Sequence, residues 1–280
     1  MVYIRAKKVK SDQYLYLVKS IWDPKRNTSK QEIVKYLGKA SEVVKDDIPI
    51  AYREDAKILS VLAAHNPKDI IKREESTRKS KLNLYKKLTD GDIHSSVKIY
   101  EEYIKIFNAG DFFDRILRPV MNKIGEDWAD DKISIATEHV ASNVAQTLVK
   151  IIMDQVTGDG KKQKVLLCVP VGEEHHLGCD VLETYLSIKG FKVYNIGTSI
   201  PTESILDFIE SNKPKIILVS ITLEDNILAG QRLVKKIKEK HDIPILVGGF
   251  ALQSKKIHKF DATVVPDVTL DEIPKIIKTA

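Results

Sequence analysis

A chain of 280 residues has room for two domains of roughly 150 residues, or three if one is small. A hydrophobic share of 43% excludes wholesale disorder, and two cysteines without CxxC spacing exclude a disulfide framework or a cysteine-rich zinc site, so Cys168 and Cys179 read as buried thiols. The formal charge of +6 is unevenly placed: residues 1–87 carry 21 basic and 11 acidic side chains, net +10, and residues 88–280 are net −4.

The first stretch, residues 2–37, holds three Tyr/Val/Ile-rich segments, Val2 to Val9, Tyr14 to Trp22 and Lys30 to Leu37, separated by the turn-like KSDQ and DPKRN. This pattern predicts a β-meander. Three strands need cover on one face, and a helix over Tyr52 to His65 can supply it. Asn66-Pro67 then reads as a cap and first position of a charged helix that runs to Lys87 and bridges domains. The longest apolar runs, such as Ile216 to Leu223, are far short of the roughly 20 residues that cross a bilayer, and MVYIRAKKVK lacks an apolar signal core. A cytoplasmic protein without a membrane partner is expected.

From Leu82 to Met153 the apolar spacing is helical, with Val97, Tyr100, Ile104 and Phe107, then Ile116, Val120 and Ile124. Breaks at Gly110-Asp111 and Ala129 to Lys132 divide it into a four-helix bundle. Thr157 to Lys162 is a linker by composition. Beyond it, short apolar strands at Lys164 to Val169, Lys192 to Ile196, Lys215 to Ile221, Pro244 to Val247 and Ala262 to Val265 alternate with helices. The predicted fold class is α/β, a doubly wound parallel five-stranded sheet of flavodoxin-like kind, preceded by the bundle and a small β-rich module. The expected domains are 1–80, 82–157 and 162–280.

The first α/β loop, Val171-Gly172-Glu173-Glu174-His175-His176-Leu177-Gly178, follows a strand's carboxyl end, where ligands of such sheets bind. Its two histidines and two carboxylates can bind metal, serve as acid and base, or form a solvated loop. After Gly178 come 41 residues and then Ser220-Ile221-Thr222; after 25 more comes Gly248-Gly249. Each loop alone has an ordinary structural explanation, but the joint spacing is specific. It resembles the cobalamin-binding domain of corrinoid proteins and methionine synthase, with Glu173 where most of that family has Asp.

The resemblance implies that cobalamin is held with His175 as the lower cobalt ligand in place of the cofactor's dimethylbenzimidazole tail. Glu173 would accept the other ring N–H, as carboxylates beside metal-ligating histidines do. Ser220 and Thr222 would offer hydroxyls to the released tail, and Gly248 and Gly249 would let a flat heterocycle approach the backbone. His176 is an alternative ligand by chemistry; counting three positions back from Gly178 selects His175.

In the bundle, Trp128 is followed by nine residues and then Glu138-His139. This Trp-x9-Glu-His pattern is similar to the helical cap of cobalamin-dependent light-sensing transcription regulators, and extends the resemblance to Leu82 through Ala280. It implies that Trp128, Glu138 and His139 enclose the adenosyl group of adenosylcobalamin. The bland alternative makes Trp128 a bundle-core aromatic and Glu138 a dipole-complementing residue of a helix that begins near Ser134. Some of those regulators carry His directly after the Trp; here it is Ala129, which leaves adenosylcobalamin binding intact and puts bis-histidine chemistry in doubt.

The N-terminal module does not resemble the winged-helix DNA-binding domain of those regulators. Its Lys35-Tyr36-Leu37-Gly38-Lys39 run has a short similarity to the N-terminal β-module of some insertion-sequence transposases. Its positive charge with Tyr3, Tyr14, Tyr16 and Tyr36 suits DNA as a partner, or is a solubilising face. Two functions follow: an adenosylcobalamin-dependent, light-responsive regulator that can form homo-oligomers, or a corrinoid carrier that shuttles the methyl group of methylcobalamin between methyltransferase partner enzymes. The chain lacks a nucleophile elbow or phosphate loop, so an independent enzyme is the reading least favoured.

Overall fold

The computed structural model describes residues 2–10, 12–23, 28–43, 47–53, 55–65, 67–156, 160, 162–253, 259–265 and 268–279. The DPKRN turn after residue 23, the Asn66 cap and most of the 157–162 linker lie outside the described residues. The chain forms two compact units, Met1–Asn83 with Glu102–Asn108, and Leu84–Glu101 with Ala109–Ala280. Among the described residues no helix is long and apolar enough to cross a membrane.

The first unit contains the expected meander. Strands β1 (Val2–Val9), β2 (Asp12–Asp23) and β3 (Thr28–Lys39) pair antiparallel in that order. Period-2 alternation sends Ile4, Leu15 and Leu17 to one face, where they join Leu37, Val43 and Ile48 against Ile58 and Leu62 of helix α1 (Ala56–His65). The helix starts later than the sequence suggests, because Asp55 caps it: its Oδ1 accepts the N–H groups of Lys57 (2.9 Å) and Ile58 (3.2 Å). Helix α2 (Pro67–Thr89) contributes residues to both units.

In the second unit the last turns of α2 join α3 (Ile93–Ile104), a run of α4 (Ala109–Phe112), a wide π turn (Phe113–Leu117) and α5 (Arg118–Ala129), and finally α6 (Ile135–Asp154). The predicted break at Gly110-Asp111 is corrected. The chain instead leaves the helix at residues 105–108, where the Ile106 and Phe107 N–H groups both bond to the Tyr103 carbonyl, and Gly110 is buried within a helix. The π turn has a cause in Pro119, which has no N–H and whose ring crowds the carbonyl four residues back. The Arg118 N–H bonds five residues back to the Phe113 carbonyl, and the helix passes the proline without ending.

The α/β part is an all-parallel five-stranded sheet in the order β5-β4-β6-β7-β8, with β4 Lys164–Cys168, β5 Lys192–Asn195, β6 Ile216–Ser220, β7 Ile245–Gly248 and β8 Thr263–Val264. Alternate residues of each strand serve opposite faces. Val165, Leu167, Ile216 and Leu218 pack with α7 (Leu177–Ile188) and α10 (Ile273–Thr279), while Leu166, Cys168, Ile217 and Val219 pack with α8 (Thr202–Asn212) and α9 (Ile227–Lys240). Burial on both faces explains the unbroken apolar runs, each such side chain stabilising the fold by about 1.5–3 kcal/mol. Because the strand order reverses beside β4, the crevice between the carboxyl ends of β4 and β6 is the switch point where ligands of such sheets sit.

Within this unit the wide turn also ties bundle to sheet. Asp114 Oδ2 accepts the Leu270 N–H at 2.8 Å, Asp114 pairs with Arg118, and Arg118 Nη2 donates to the Val268 carbonyl at 3.2 Å. The next residue, Asp271, receives the Tyr185 hydroxyl from α7 and lies 3.4 Å from Lys189 Nζ.

Candidate cofactor site

The loop after β4 and the loop after β6 meet at the switch point through one side chain. Glu173 is fully buried. Its Oε2 accepts three hydrogen bonds, from the Thr222 N–H (2.9 Å), the Leu223 N–H (3.0 Å) and the Asn226 Nδ2 (3.1 Å). Its Oε1 accepts the His175 backbone N–H at 3.1 Å and contacts His175 Nδ1 at 2.7 Å. Burial by itself would raise this carboxyl's pKa. The bonds from His175, the Leu223 N–H, Asn226 and the Thr222 N–H outweigh it and hold the value at about 2, so Glu173 is an anion.

That anion sets the state of His175. A carboxylate accepts only, so Nδ1 carries the proton and Nε2 keeps the lone pair in the neutral ring. The imidazole pKa is raised, first by the hydrogen bond to Glu173 and then, against the opposing effect of burial, by the charges of Glu173, Glu138 and Glu174. His175 is thus a basic, oriented imidazole on a side chain that remains 48% exposed. No hydrogen-bond partner for Nε2 occurs among the described residues. An imidazole with one nitrogen clasped by a buried carboxylate and the other carrying a lone pair suits a borderline metal centre. These residues therefore fit the cobalt of a corrinoid.

His176 is differently employed. It occupies the N-cap of α7, its Nδ1 lies 3.3 Å from the Glu174 carbonyl and its Nε2 lies 3.5 Å from Asp180 Oδ2. Both ring nitrogens face acceptors. Cys168 and Cys179 are buried and free, and burial pushes the Cys168 thiol up to about 12 and the Cys179 thiol higher still. They are inert packing residues.

The remaining sheet-edge residues stand where the spacing placed them, at the carboxyl ends of β6 and β7. Ser220 Oγ lies 3.4 Å from where a Cβ on Gly178 would sit, and is within reach of the Cys179 thiol. Thr222 contributes its backbone N–H to Glu173. The glycine pair has a reason internal to the protein. Gly249 has φ +115°, and a Cβ there would fall 2.2 Å from the Ile221 carbonyl oxygen; one on Gly248 would meet Val265 at 3.3 Å.

The bundle residues lie around the α5–α6 junction. Asp127, buried, accepts the Tyr85 hydroxyl at 2.9 Å and Lys123 Nζ at 2.9 Å, and its carbonyl takes the Lys132 N–H at 2.7 Å. The turn that carries Trp128 is therefore fixed, while Trp128 itself is 43% exposed and is no bundle-core aromatic. Ser134 caps α6 by accepting the Thr137 N–H. In the first turn Glu138 accepts the Ser142 hydroxyl at 2.6 Å and contacts His139 Nδ1 at 2.6 Å. Glu138 is near enough to His175 to raise its pKa, which brings the bundle motif and the loop motif into one electrostatic field. No hydrogen bond joins Trp128 or His139 to the 171–178 loop among the described residues.

Sequence reasoning missed Asn226, which also donates to the Gly172 carbonyl at 3.3 Å. It missed the Ser199 hydroxyl on Glu174 Oε1 (3.0 Å) and Asn195, whose Nδ2 bonds Asp180 Oδ1 (2.9 Å) and Glu183 Oε2 (3.0 Å). The signal available for Asn226 was its place in the loop after β6, opposite the histidine loop across the strand-order reversal.

Two comparisons of sequence and one of structure bear on this site. Residues 163–266 match the family described as B12 binding domain, and residues 83–153 match a second family of the same description. Trimethylamine corrinoid protein 1 of Methanosarcina acetivorans is 21% identical over 197 residues, which cover 68% of this chain and 91% of that protein. The HTH-type transcriptional repressor CarH of Myxococcus xanthus is 23% identical over 144 residues, 51% of this chain and 48% of the repressor. The monomethylamine corrinoid protein of Methanosarcina barkeri superposes with TM-score 0.62 at 15% identity, over 72% of this chain and 99% of that one, which shows a shared fold.

Proposed function

Since this chain carries B12 binding domains over residues 83–153 and 163–266, we propose that it holds cobalamin through His175 and acts as an adenosylcobalamin-dependent regulator. The observation that carries the histidine assignment is the Glu173–His175 contact of 2.7 Å at the β4/β6 switch point, with Nε2 left as the lone-pair nitrogen. Cobalamin, when bound, supplies a cobalt whose upper ligand can be exchanged or cleaved. The chain's own residues do the rest. His175 would offer its Nε2 to the cobalt, Glu173 keeps the proton on Nδ1, and the Thr222, Leu223 and Asn226 donors keep Glu173 ionised. Gly178, Ser220, Thr222, Gly248 and Gly249 would hold the nucleotide tail. Trp128, Glu138 and His139 would enclose the adenosyl group, the exposed indole shielding it from water.

The regulator reading is supported by the Trp-x9-Glu-His pattern on the bundle and by the net +10 of residues 1–87, which gives a nucleic-acid contact as its output. Such a switch requires a cofactor whose states favour two arrangements unequally. A second reading, a corrinoid methyl carrier that works with methyltransferases, is favoured by the 91% coverage of the trimethylamine corrinoid protein.

The test is the absorption spectrum of purified protein mixed with adenosylcobalamin, before and after green light, beside His175→Ala. Histidine ligation predicts a spectrum that His175→Ala alters; an unchanged spectrum refutes it. Identical elution in dark and light removes the light-responsive form. Tighter retention of methylcobalamin, with Trp128→Ala without effect, establishes the carrier.

A further inference from the structure

The first unit carries a feature that the cofactor site does not use. Residues directly opposite across strands share a face, so the register defines two rows on the side of the sheet away from Ile4, Leu15 and Leu17: Arg5–Tyr16–Tyr36 and Lys7–Tyr14–Lys39. The three tyrosines form one cluster, with ring centroids 6.4 Å apart and planes 27° apart for Tyr14 and Tyr36, and 5.1 Å and 50° for Tyr16 and Tyr36. Tyr36 is 52% exposed, and Trp22 and Ile33, the latter brought to this face by a bulge that pairs it with Val18, are exposed as well. Tyr14 and Tyr16 are half-buried beneath Tyr36, so the cluster is a supported ring platform with one fully presented ring and does not belong to the Leu15/Leu17 core.

The charge around them is predominantly positive, with Glu42 a carboxylate near Tyr36. Residues 1–43 hold ten Lys and Arg against four Asp and Glu, and on this face Asp12 is already paired with Lys39 at 3.0 Å. Arg5 is held on the face by Gln31 Oε1, 2.6 Å from its Nη1, which leaves further guanidinium N–H groups for an anion. Aromatic rings flanked by cations suit a polyanion with flat apolar groups attached. In a duplex those flat groups are stacked on each other, whereas unpaired bases offer their faces to protein rings.

We propose that the Tyr14/Tyr16/Tyr36 face of the β1–β2–β3 sheet binds single-stranded nucleic acid, the tyrosines stacking on bases and Arg5 and Lys7 contacting phosphates. This deepens the output half of the regulator reading, and it stands on the sheet alone. The test uses the full cobalamin-free chain and a fluorescent single-stranded DNA of mixed sequence, about 20 nucleotides long so that it exceeds the site of one such module. Saturable binding is expected, with log affinity falling linearly against log salt, and a shallower slope for Arg5→Ala/Lys7→Ala.

Tyr36→Ala should weaken binding about 5- to 150-fold, the loss of one stacked base, while Tyr36→Phe keeps it. The matching duplex should bind more weakly than the single strand. His175→Ala should leave the binding unchanged, so failure of the cofactor reading and failure of this one are separable. Thermal unfolding of each variant identifies a folding defect, and Tyr14→Ala serves as the second probe if Tyr36→Ala has one. Equal affinity for duplex and single strand, indifference to loss of both rings, or absence of binding overturns the proposal. So does a dimer in sedimentation that Tyr36→Ala dissolves while nucleic-acid affinity stays unchanged, which would assign the face to a second copy of the chain.

Discussion

Asn226 and Glu173 are 53 residues apart in sequence and joined by a 3.1 Å hydrogen bond across the switch point, from the Asn226 side-chain amide to Glu173 Oε2. The same amide reaches the Gly172 carbonyl, so one residue after β6 orients both the carboxylate and its loop. Under the proposed His175 ligation, Asn226→Ala should leave the fold intact and weaken corrinoid retention by up to about 10- to 100-fold, the effect of disturbing the carboxylate that holds a ligating histidine. Absorbance-monitored titration with hydroxocobalamin checks this; a wild-type affinity would show that Asn226 orients nothing.

The clasp also gives the cofactor-free chain a pH signature. Glu173 falls from its ordinary 4.5 to about 2, so its contribution to stability is present above the ordinary glutamate range and is lost as pH drops through that range toward 2. His175 is shifted upward from 6.5, so its contribution is complete below 6.5 and fades as pH rises through the raised value. Glu173→Gln should flatten both limbs of a plot of Tm against pH. Parallel curves for the two proteins would contradict the coupling.

The α/β strands were legible because residues such as Val165 to Val169 are apolar without a break, which only a sheet covered on both faces tolerates. The place of His175 in the loop after β4, across from the loop after β6, was legible through loop spacing. What holds Glu173 was not: two of its donors are the backbone N–H groups of Thr222 and Leu223, which every residue type but proline possesses. Gly110 misled for a related reason. Glycine favours breaks when exposed, but here a buried helix position accepts it and the Tyr103 carbonyl closes the turn elsewhere.

Gly249 and Gly197 should respond differently to alanine. Both have positive φ, +115° and +70°, but a Cβ on Gly249 would strike the Ile221 backbone while one on Gly197 meets nothing within 4 Å. Gly197→Ala should cost about 1–2 kcal/mol, the left-handed penalty alone. Gly249→Ala should cost more, because β7 and the end of β6 must separate as well. Urea denaturation of the two variants measures the difference, and equal midpoints would sink it.

Asp114 is the joint between the bundle and the segment that leads into α10. Asp114→Ala would leave the Leu270 N–H without its acceptor and Arg118 without its carboxylate, at a cost of about 1–3 kcal/mol. Hydrogen exchange at Leu270 should accelerate by a corresponding factor while exchange in β4 tracks only the global change. Unaltered protection at Leu270 would show that the bond carries no load in solution.

The wide turn at Phe113–Leu117 makes one revolution with one residue more than a regular α turn. Losing that residue together with Pro119 would tighten the turn and leave the helix beyond it facing the same way. Each residue of a regular α-helix advances the chain by about 100° around its axis, so a deletion between Val120 and Glu126 would instead swing Asp127 away from Tyr85 and carry the indole beside it along. Natural variants of this protein should therefore tolerate a lost residue within 113–117 and not between 120 and 126.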